Sequence, residues 1–262
     1  MAAALARPEC RIRWLQLLTA GYDALAEFGL PEPIALTGAG DAYAPAVATH
    51  AVALMLALER RLLDCATMTA QGCWDRAMSP KMSIPFGGDV VIAGLGSIGS
   101  EIARMVRAMG ARVVALTRSA RPSPLADAVE PLGRRDAVLA RADAVILALP
   151  LAPETRHMIG AEQFALMKRT AVLVNIARGA LIDTDALAAA LHGGRIAGAG
   201  LDVTDPEPLP AGHALWRAPN LIITPHVAGS CGSLGGARLA AVAVENLRRF
   251  TAGQALAHPI TL

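Results

Sequence analysis

An α/β fold built on a parallel sheet is the fold class this chain predicts, on three observations. First, short apolar runs alternate with helix-forming stretches from about residue 89 to residue 224, the pattern of repeated βαβ units. Second, the apolar run 89–93 passes into Gly94-Leu-Gly-Ser-Ile-Gly99 and then into a helical stretch. Third, three later runs each end near a charged or titratable residue: 171–175 before Arg178, 199–203 before Glu207, and 221–224 before His226. Ligands of an open α/β sheet gather outside the carboxyl ends of the strands. An anion-binding Arg, an acid and a titratable His are therefore expected on one edge, the edge that also holds the Gly-rich turn.

The elements follow in order. Runs 12–18 and 34–37 read as short strands. Asp41 to Pro45 leads into a long helix, 46–69, whose Val47, Ala51, Leu54, Met55, Leu58 and Leu62 recur at three- and four-residue spacing. Residues 71–88, rich in Gly, Pro and Met, read as an irregular connector and the domain boundary. Beyond it, 89–93 is a strand, 97–109 a helix stopped by Gly110, and 112–116 a strand. A helix at 134–140, a strand at 144–149, a short helix at 162–167 and a strand at 170–176 follow. Asp183 or Thr184 can cap a helix at 185–191, which Gly193-Gly194 stops. Strands at 196–203 and 221–224 precede a last helix, 234–250, stopped by Gly253.

The turn Gly94-x-Gly96-x-x-Gly99 is a weak signal alone, but a strand before it and a helix after it supply the context for dinucleotide binding. Gly94 permits a tight turn, Gly96 lets backbone amides approach a pyrophosphate, and Gly99 lets helix and strand pack closely. Ser97 and Ile98 open the helix, whose N-terminus favours an anion. An acid usually ends the second strand of a site selective for NAD(H). Here that strand ends Thr117-Arg118-Ser119-Ala120-Arg121, with no acid before Asp127. Arg118 and Arg121 can pair with a 2′-phosphate and Ser119 can donate to it, so NADP(H) is the expected cofactor, with NAD(H) possible.

Reducing a keto acid requires a held carboxylate, a polarised carbonyl and a proton for the developing alkoxide. Arg178 suits the first two tasks, bidentate on the carboxylate or forked between it and the keto oxygen. His226 suits the third. Glu207 can orient the imidazole and favour its charged form. Pro206 and Pro208 flank Glu207 and place it on a stiff loop. Asp202 has two readings, a turn former or a contact to a nicotinamide amide.

These motifs resemble the D-isomer-specific 2-hydroxyacid dehydrogenase family. The resemblance rests on Gly94-Leu-Gly-Ser-Ile-Gly99, Asn175-Ile-Ala-Arg-Gly-Ala-Leu-Ile-Asp183, Leu201-Asp-Val203 with Glu207-Pro-Leu-Pro210, and Thr224-Pro-His-Val-Ala-Gly229. It implies Arg178, Glu207 and His226 as the catalytic set, with a cofactor side that also includes Leu149, Pro150 and Thr155 of a family-like loop, Ala177, Asp202 and Gly229. Leu18-Thr-Ala-Gly-Tyr-Asp23 is similar to a family segment whose amides bind the substrate carboxylate, which implies Ala20 and Gly21 there. The basic loop at Arg118 is similar to that of glyoxylate and hydroxypyruvate reductases.

The resemblance also implies a Rossmann-type doubly wound parallel sheet with a second, flavodoxin-like substrate domain, usually in a homodimer. Family members carry a further N-terminal segment, so the substrate domain is expected to be incomplete. The expected division is 1–80 for the partial substrate domain with the long interdomain helix, 81–228 for the dinucleotide-binding domain, and 229–262 for a segment returning to the substrate domain. One departure lies in Val47-Ala-Thr49-His50, where the family commonly has Glu in place of Thr49. The expected activity is hydride transfer between NAD(P)H and a small 2-keto or 2-hydroxy acid such as glyoxylate or hydroxypyruvate. Two alternatives share the motifs: a dinucleotide-sensing protein without turnover, and a phosphite-type dehydrogenase.

Composition narrows the classes further. A chain of 262 residues, 54% hydrophobic and 18% charged, can bury a sizeable core. A net charge of +2 without a basic, aromatic-interleaved stripe disfavours nucleic acid. The uncharged stretch 44–58 is too short to span a bilayer. Cys10, Cys65, Cys73 and Cys231 form neither a Cys-x-x-Cys pair nor zinc spacing, which fits reduced thiols and a cytoplasmic protein with no metal site.

Overall fold

The computed structural model describes residues 10–19, 21, 22, 25, 29, 30 and 33–261. The chain divides into two compact units: Met1–Ala46 with Gly229–Leu262, and Val47–Ala228.

The larger unit is built on a seven-stranded parallel sheet. Its strands are β3 (Asp89–Ala93), β4 (Arg112–Thr117), β5 (Ala128–Pro131), β6 (Ala144–Leu147), β7 (Val172–Asn175), β8 (Gly198–Leu201) and β9 (Leu221–Ile223). Their spatial order is β5-β4-β3-β6-β7-β8-β9. The chain winds outward from β3 through β4 to β5, then returns to β6 on the other side of β3 and winds the opposite way. The crevice beyond the ends of β3 and β6, where the order reverses, is the place such sheets offer to a ligand. Strands β6, β7 and β8 are buried along their whole length, as expected of a parallel sheet covered on both faces.

The helices are α1 (Ala44–Glu59), α2 (Leu62–Gln71), α3 (Ser97–Ala108), α4 (Arg135–Leu139), α5 (Ala161–Leu166) and α6 (Thr184–His192). Helix α3 buries Gly99, Ile102, Ala103 and Val106, an i, i+3, i+4, i+7 stripe. Asp183, at the N-cap of α6, accepts from the Ala186 amide at 3.0 Å. Gly200 in β8 lets α1 lie close, because a Cβ there would stand 3.0 Å from Leu54 Cβ.

In the smaller unit, β1 (Trp14–Gln16) and β2 (Ala35–Thr37) pair in parallel. Trp14 Nε1 donates to Thr37 Oγ1 at 2.8 Å, and the Trp14 ring stacks on Phe250 of α7 (Gly232–Thr251) with centroids 5.4 Å apart. The buried Asn246 of α7 donates to Gln16 Oε1 at 2.8 Å.

Two elements differ from the sequence expectation. The helix expected at 46–69 is broken: Arg61 is left-handed at φ 54, with its guanidinium 2.7 Å from the Asp64 carboxylate. The apolar spacing continues through Leu62, so periodicity could not show the break, yet α2 buries none of its residues. The edge strand β5 has no counterpart among the strands expected from the sequence. It holds only two apolar residues besides its final proline, and its start is fixed by Asp127, whose carboxylate accepts from the Val113 amide at 2.8 Å.

Glu59, at the end of α1, has a fractional exposure of 3%, and its Oε2 has no hydrogen-bond partner. Burial, reinforced by Asp143 and opposed by Arg60, pushes its carboxyl up from 4.5 to about 7. A raised carboxyl binds its proton more tightly in the folded chain than in the unfolded one. Its contribution is therefore fully present below pH 4.5 and is lost as pH rises through about 7. Glu59→Gln removes that loss and is expected to raise thermal stability more at pH 8 than at pH 5. The difference should be up to roughly 3 kcal/mol. Melting curves at the two pH values check this; an equal effect at both would refute it.

Candidate active site

The Gly-rich turn ends β3 and starts α3, and its three glycines answer to three constraints. Gly94 sits at φ 96, and a Cβ there would stand 2.6 Å from the Ala148 carbonyl oxygen just beyond β6. A Cβ on Gly99 would collide with the Gly94 carbonyl, so helix and strand approach this closely only because residue 99 is glycine. Gly96 faces open space, with nothing within 4 Å of a Cβ. Gly96 caps α3, whose first amides, on Ser97, Ile98 and Gly99, have no helical carbonyl to bond. Open space before free amides and a helix dipole is the shape a pyrophosphate needs.

Beyond β4, Arg118, Ser119 and Arg121 are exposed. Arg118 Nη2 lies 3.1 Å from Glu154 Oε1, on the loop that follows β6. That loop is tied by the buried Thr155: its hydroxyl accepts from the Ala152 amide at 2.8 Å and lies 3.1 Å from the Pro150 carbonyl. Leu149 is buried beneath it and Pro150 is exposed.

Beyond β7, the buried Asn175 closes the turn that carries Ala177 and Arg178. Its amide donates to the Arg178 carbonyl at 2.8 Å and accepts from the Ala177 amide at 3.1 Å. Arg178 is half-buried, and its Nη1 donates to the Ala177 carbonyl at 2.6 Å. A Cβ on Gly179 would collide with the backbone of Thr204, so the Arg178 turn lies directly on the segment leading to Glu207. Thr184 Oγ1 holds that segment by donating to the Asp205 carbonyl at 2.7 Å.

Beyond β9, His226 Nδ1 is 2.6 Å from Glu207 Oε1. His226 adopts the left-handed conformation at φ 54, uncommon for a residue with a side chain. Asp202, at the end of β8, holds it there. Its Oδ1 accepts from Thr224 Oγ1 at 2.6 Å and from the Val227 amide at 2.9 Å, its Oδ2 from the Ala228 amide at 2.9 Å, and its carbonyl from the His226 amide at 2.9 Å.

In the smaller unit, the Gly21 carbonyl accepts from Thr19 Oγ1 at 2.8 Å, and Gly229 lies against the ring of Tyr43, 3.2 Å from the position of a Cβ. Ala20 lies outside the described residues.

The family model for the D-isomer specific 2-hydroxyacid dehydrogenase, NAD binding domain, matches residues 52–228. This chain belongs to the D-isomer-specific 2-hydroxyacid dehydrogenase family. It is 36% identical over 251 residues to a glyoxylate reductase of Thermococcus gammatolerans, covering 93% of this chain and 75% of the relative. It also resembles a family member from Aeromonas salmonicida, with a TM-score of 0.85 at 33% identity, covering 95% of this chain and 78% of the other. A third, from Xanthobacter autotrophicus, solved in complex with NADPH and MES, gives a TM-score of 0.83 at 30% identity over 95% of this chain and 78% of the other. Membership makes the chain an NAD(P)-dependent hydroxyacid oxidoreductase.

Within this dehydrogenase, His226 and Glu207 are in direct contact, and Gly179 joins the Arg178 turn to the strand-end segment that leads to Glu207. Sequence reasoning passed over Asn175, Gly179 and Thr224 as site residues. Asn175 carried a usable signal, a polar residue closing an otherwise apolar strand. Gly179 and Thr224 carried none, because their roles depend on partners distant in sequence.

Gly179→Ala is expected to part the Arg178 turn from Thr204. The stability loss should be roughly 1–3 kcal/mol, the range for overpacking, accompanied by a fall in turnover. Chemical denaturation and initial rates check this, and an unchanged midpoint would refute the close contact.

Proposed function

We propose that the chain is an NADPH-preferring reductase of a small 2-keto acid of the glyoxylate or hydroxypyruvate type. The contact that carries this reading is His226 Nδ1 at 2.6 Å from Glu207 Oε1. With Nδ1–H donated to the carboxylate, Nε2 is the nitrogen left to carry a proton to substrate. Relatives named glyoxylate reductase and glycerate dehydrogenase support the substrate class.

The residues present fit a dinucleotide, since Gly96 opens on empty space ahead of the α3 amides. Ser97, Ile98 and Gly99 would hold its pyrophosphate, with Gly94, Leu149, Pro150, Thr155, Ala177, Asp202 and Gly229 along its path. When bound, the cofactor supplies the hydride. Arg178 grips the substrate carboxylate and polarises the keto oxygen, so that negative charge developing there meets a fixed cation. His226 then gives the Nε2 proton to that oxygen, and Glu207 holds the ring in place as the imidazole loses it. The amides near Ala20 and Gly21 are read as further carboxylate ligands.

The basic loop supports NADPH over NADH. Arg118, Ser119 and Arg121 offer donors, and no acid stands at the end of β4. Glu154 already pairs with Arg118, but both side chains are more than half exposed. Such a pair is worth at most about 1 kcal/mol, less than charge-assisted bonds to a phosphate dianion can return. A homodimer is part of the reading; the exposed Trp74, Ile84 and Phe86, on the segment after α2, offer apolar surface for it. The four unpaired cysteines support a cytoplasmic setting.

Absorbance at the nicotinamide band, with NADPH or NADH and with glyoxylate, hydroxypyruvate or pyruvate, tests the reading. NADPH consumption with one of the first two is expected; none with any keto acid would overturn it. His226→Ala should lower kcat at least 100-fold while dinucleotide binding persists. Arg118→Ala should raise the KM for NADPH about tenfold and leave that for NADH in place. Equal effects on both cofactors would remove Arg118 from 2′-phosphate recognition.

A further inference from the structure

His50, on α1, belongs to no part of the chemistry so far, yet it ends a chain of polar contacts that reaches the His226 loop. Its Nε2 is 2.9 Å from Thr224 Oγ1 and 3.6 Å from Asp202 Oδ1. The direction of the protons follows from the partners. Thr224 Oγ1 lies 2.6 Å from a carboxylate that can only accept, so the hydroxyl hydrogen points at Asp202. The hydroxyl lone pairs are then what faces His50, and His50 must donate to them from Nε2. The order is His50 N–H to Thr224 O–H to the Asp202 carboxylate.

Asp202 has a fractional exposure of 2%, and its carboxylate spends its acceptor sites on the segment 224–228. The residue held in the middle is His226, left-handed at φ 54. For a residue with a Cβ, that conformation is unfavourable and persists only when its surroundings enforce it. Thr224 and the Val227 and Ala228 amides are the points of enforcement. Thr224 is the one made by a rotatable group, since its hydroxyl can turn away from Asp202. A donor on the far side of Thr224 removes that freedom.

We propose that His50 is a positioning residue: through Thr224 and Asp202 it fixes the loop conformation that presents His226 to substrate. This deepens, and rests on, the reading of His226 as proton donor. His50 touches neither substrate nor cofactor in this role. Without it the Thr224 hydroxyl can seek other partners, the loop loses one of its anchors, and His226 can relax out of the conformation that aims its ring.

The test is kinetic and uses the whole chain. His50→Leu and Thr224→Val should each lower kcat about 10- to 100-fold, the scale of a misplaced catalytic group. KM for the keto acid and Kd for NADPH should stay within about twofold, because neither residue contacts them. His50→Gln, which keeps a side-chain N–H, should recover most of kcat. The double variant should fall no further than the lower single variant, as expected for one shared chain. A merely structural role would instead move melting temperature and KM together, give additive losses and show no rescue by Gln. If His50→Leu fails to fold, Thr224→Val, which is nearly isosteric, carries the test alone. Normal kcat in both single variants, with His226→Ala inactive, overturns the positioning role. Full turnover in His226→Ala overturns the proton-donor reading on which it rests.

Discussion

The functional edge of the sheet depends on one buried carboxylate. Asp202 stands where β8 ends and grips the segment beyond β9 through three donors to its side chain and one to its carbonyl. A carboxylate taken out of water is costly unless its lone pairs are filled, and the 224–228 segment fills them. That mutual requirement fixes both partners. The loop cannot leave without stranding a buried charge, and the charge is tolerable only because the loop is there. The placement of His226 and its contact with Glu207 follow from that lock.

Glycine supplies the second constraint, by permitting approach rather than by attracting. Gly99 brings α3 onto the end of β3, Gly94 lets that turn lie against the backbone of Ala148 beyond β6, and Gly179 brings the Arg178 turn onto Thr204. Each contact is backbone against backbone, so no rotamer change can absorb an added methyl. The switch-point crevice and the Arg178 platform therefore rest on the absence of atoms. The two features lie at the ends of β3 and β7, the two strands that flank β6.

Much of this was legible in the sequence, for a physical reason. Buried parallel strands must be apolar along their whole length, so β3, β4, β6 and β7 stand out as runs, and the Gly-rich turn between β3 and α3 follows from strand-to-helix context. The Arg178, Glu207 and His226 set could be found because each lies just past such a run. What could not be read depends on contacts between distant segments. The Arg61 break leaves the apolar periodicity intact. The edge strand β5 is half-exposed and contains a proline, so it carries little burial signal. Asp202 read as a turn former or a cofactor contact, and only its partners show that it organises a loop 22 to 26 residues away in sequence.

The exposure of the Glu207–His226 pair shows what that contact is for. The two side chains are 42% and 55% exposed, so water screens their attraction and the pair adds little to folding stability. A contact of 2.6 Å between such groups is better understood as geometry than as energy. It assigns Nδ1 to the carboxylate and leaves Nε2 for exchange with a ligand. The loop beneath supplies the stability that the pair lacks, through the buried Asp202. Stability and reactivity are thereby assigned to different acids: the buried one holds the backbone, and the exposed one holds the ring. An exposed ring can exchange its proton with solvent between turnovers, which a buried His–carboxylate pair could do only by opening the site.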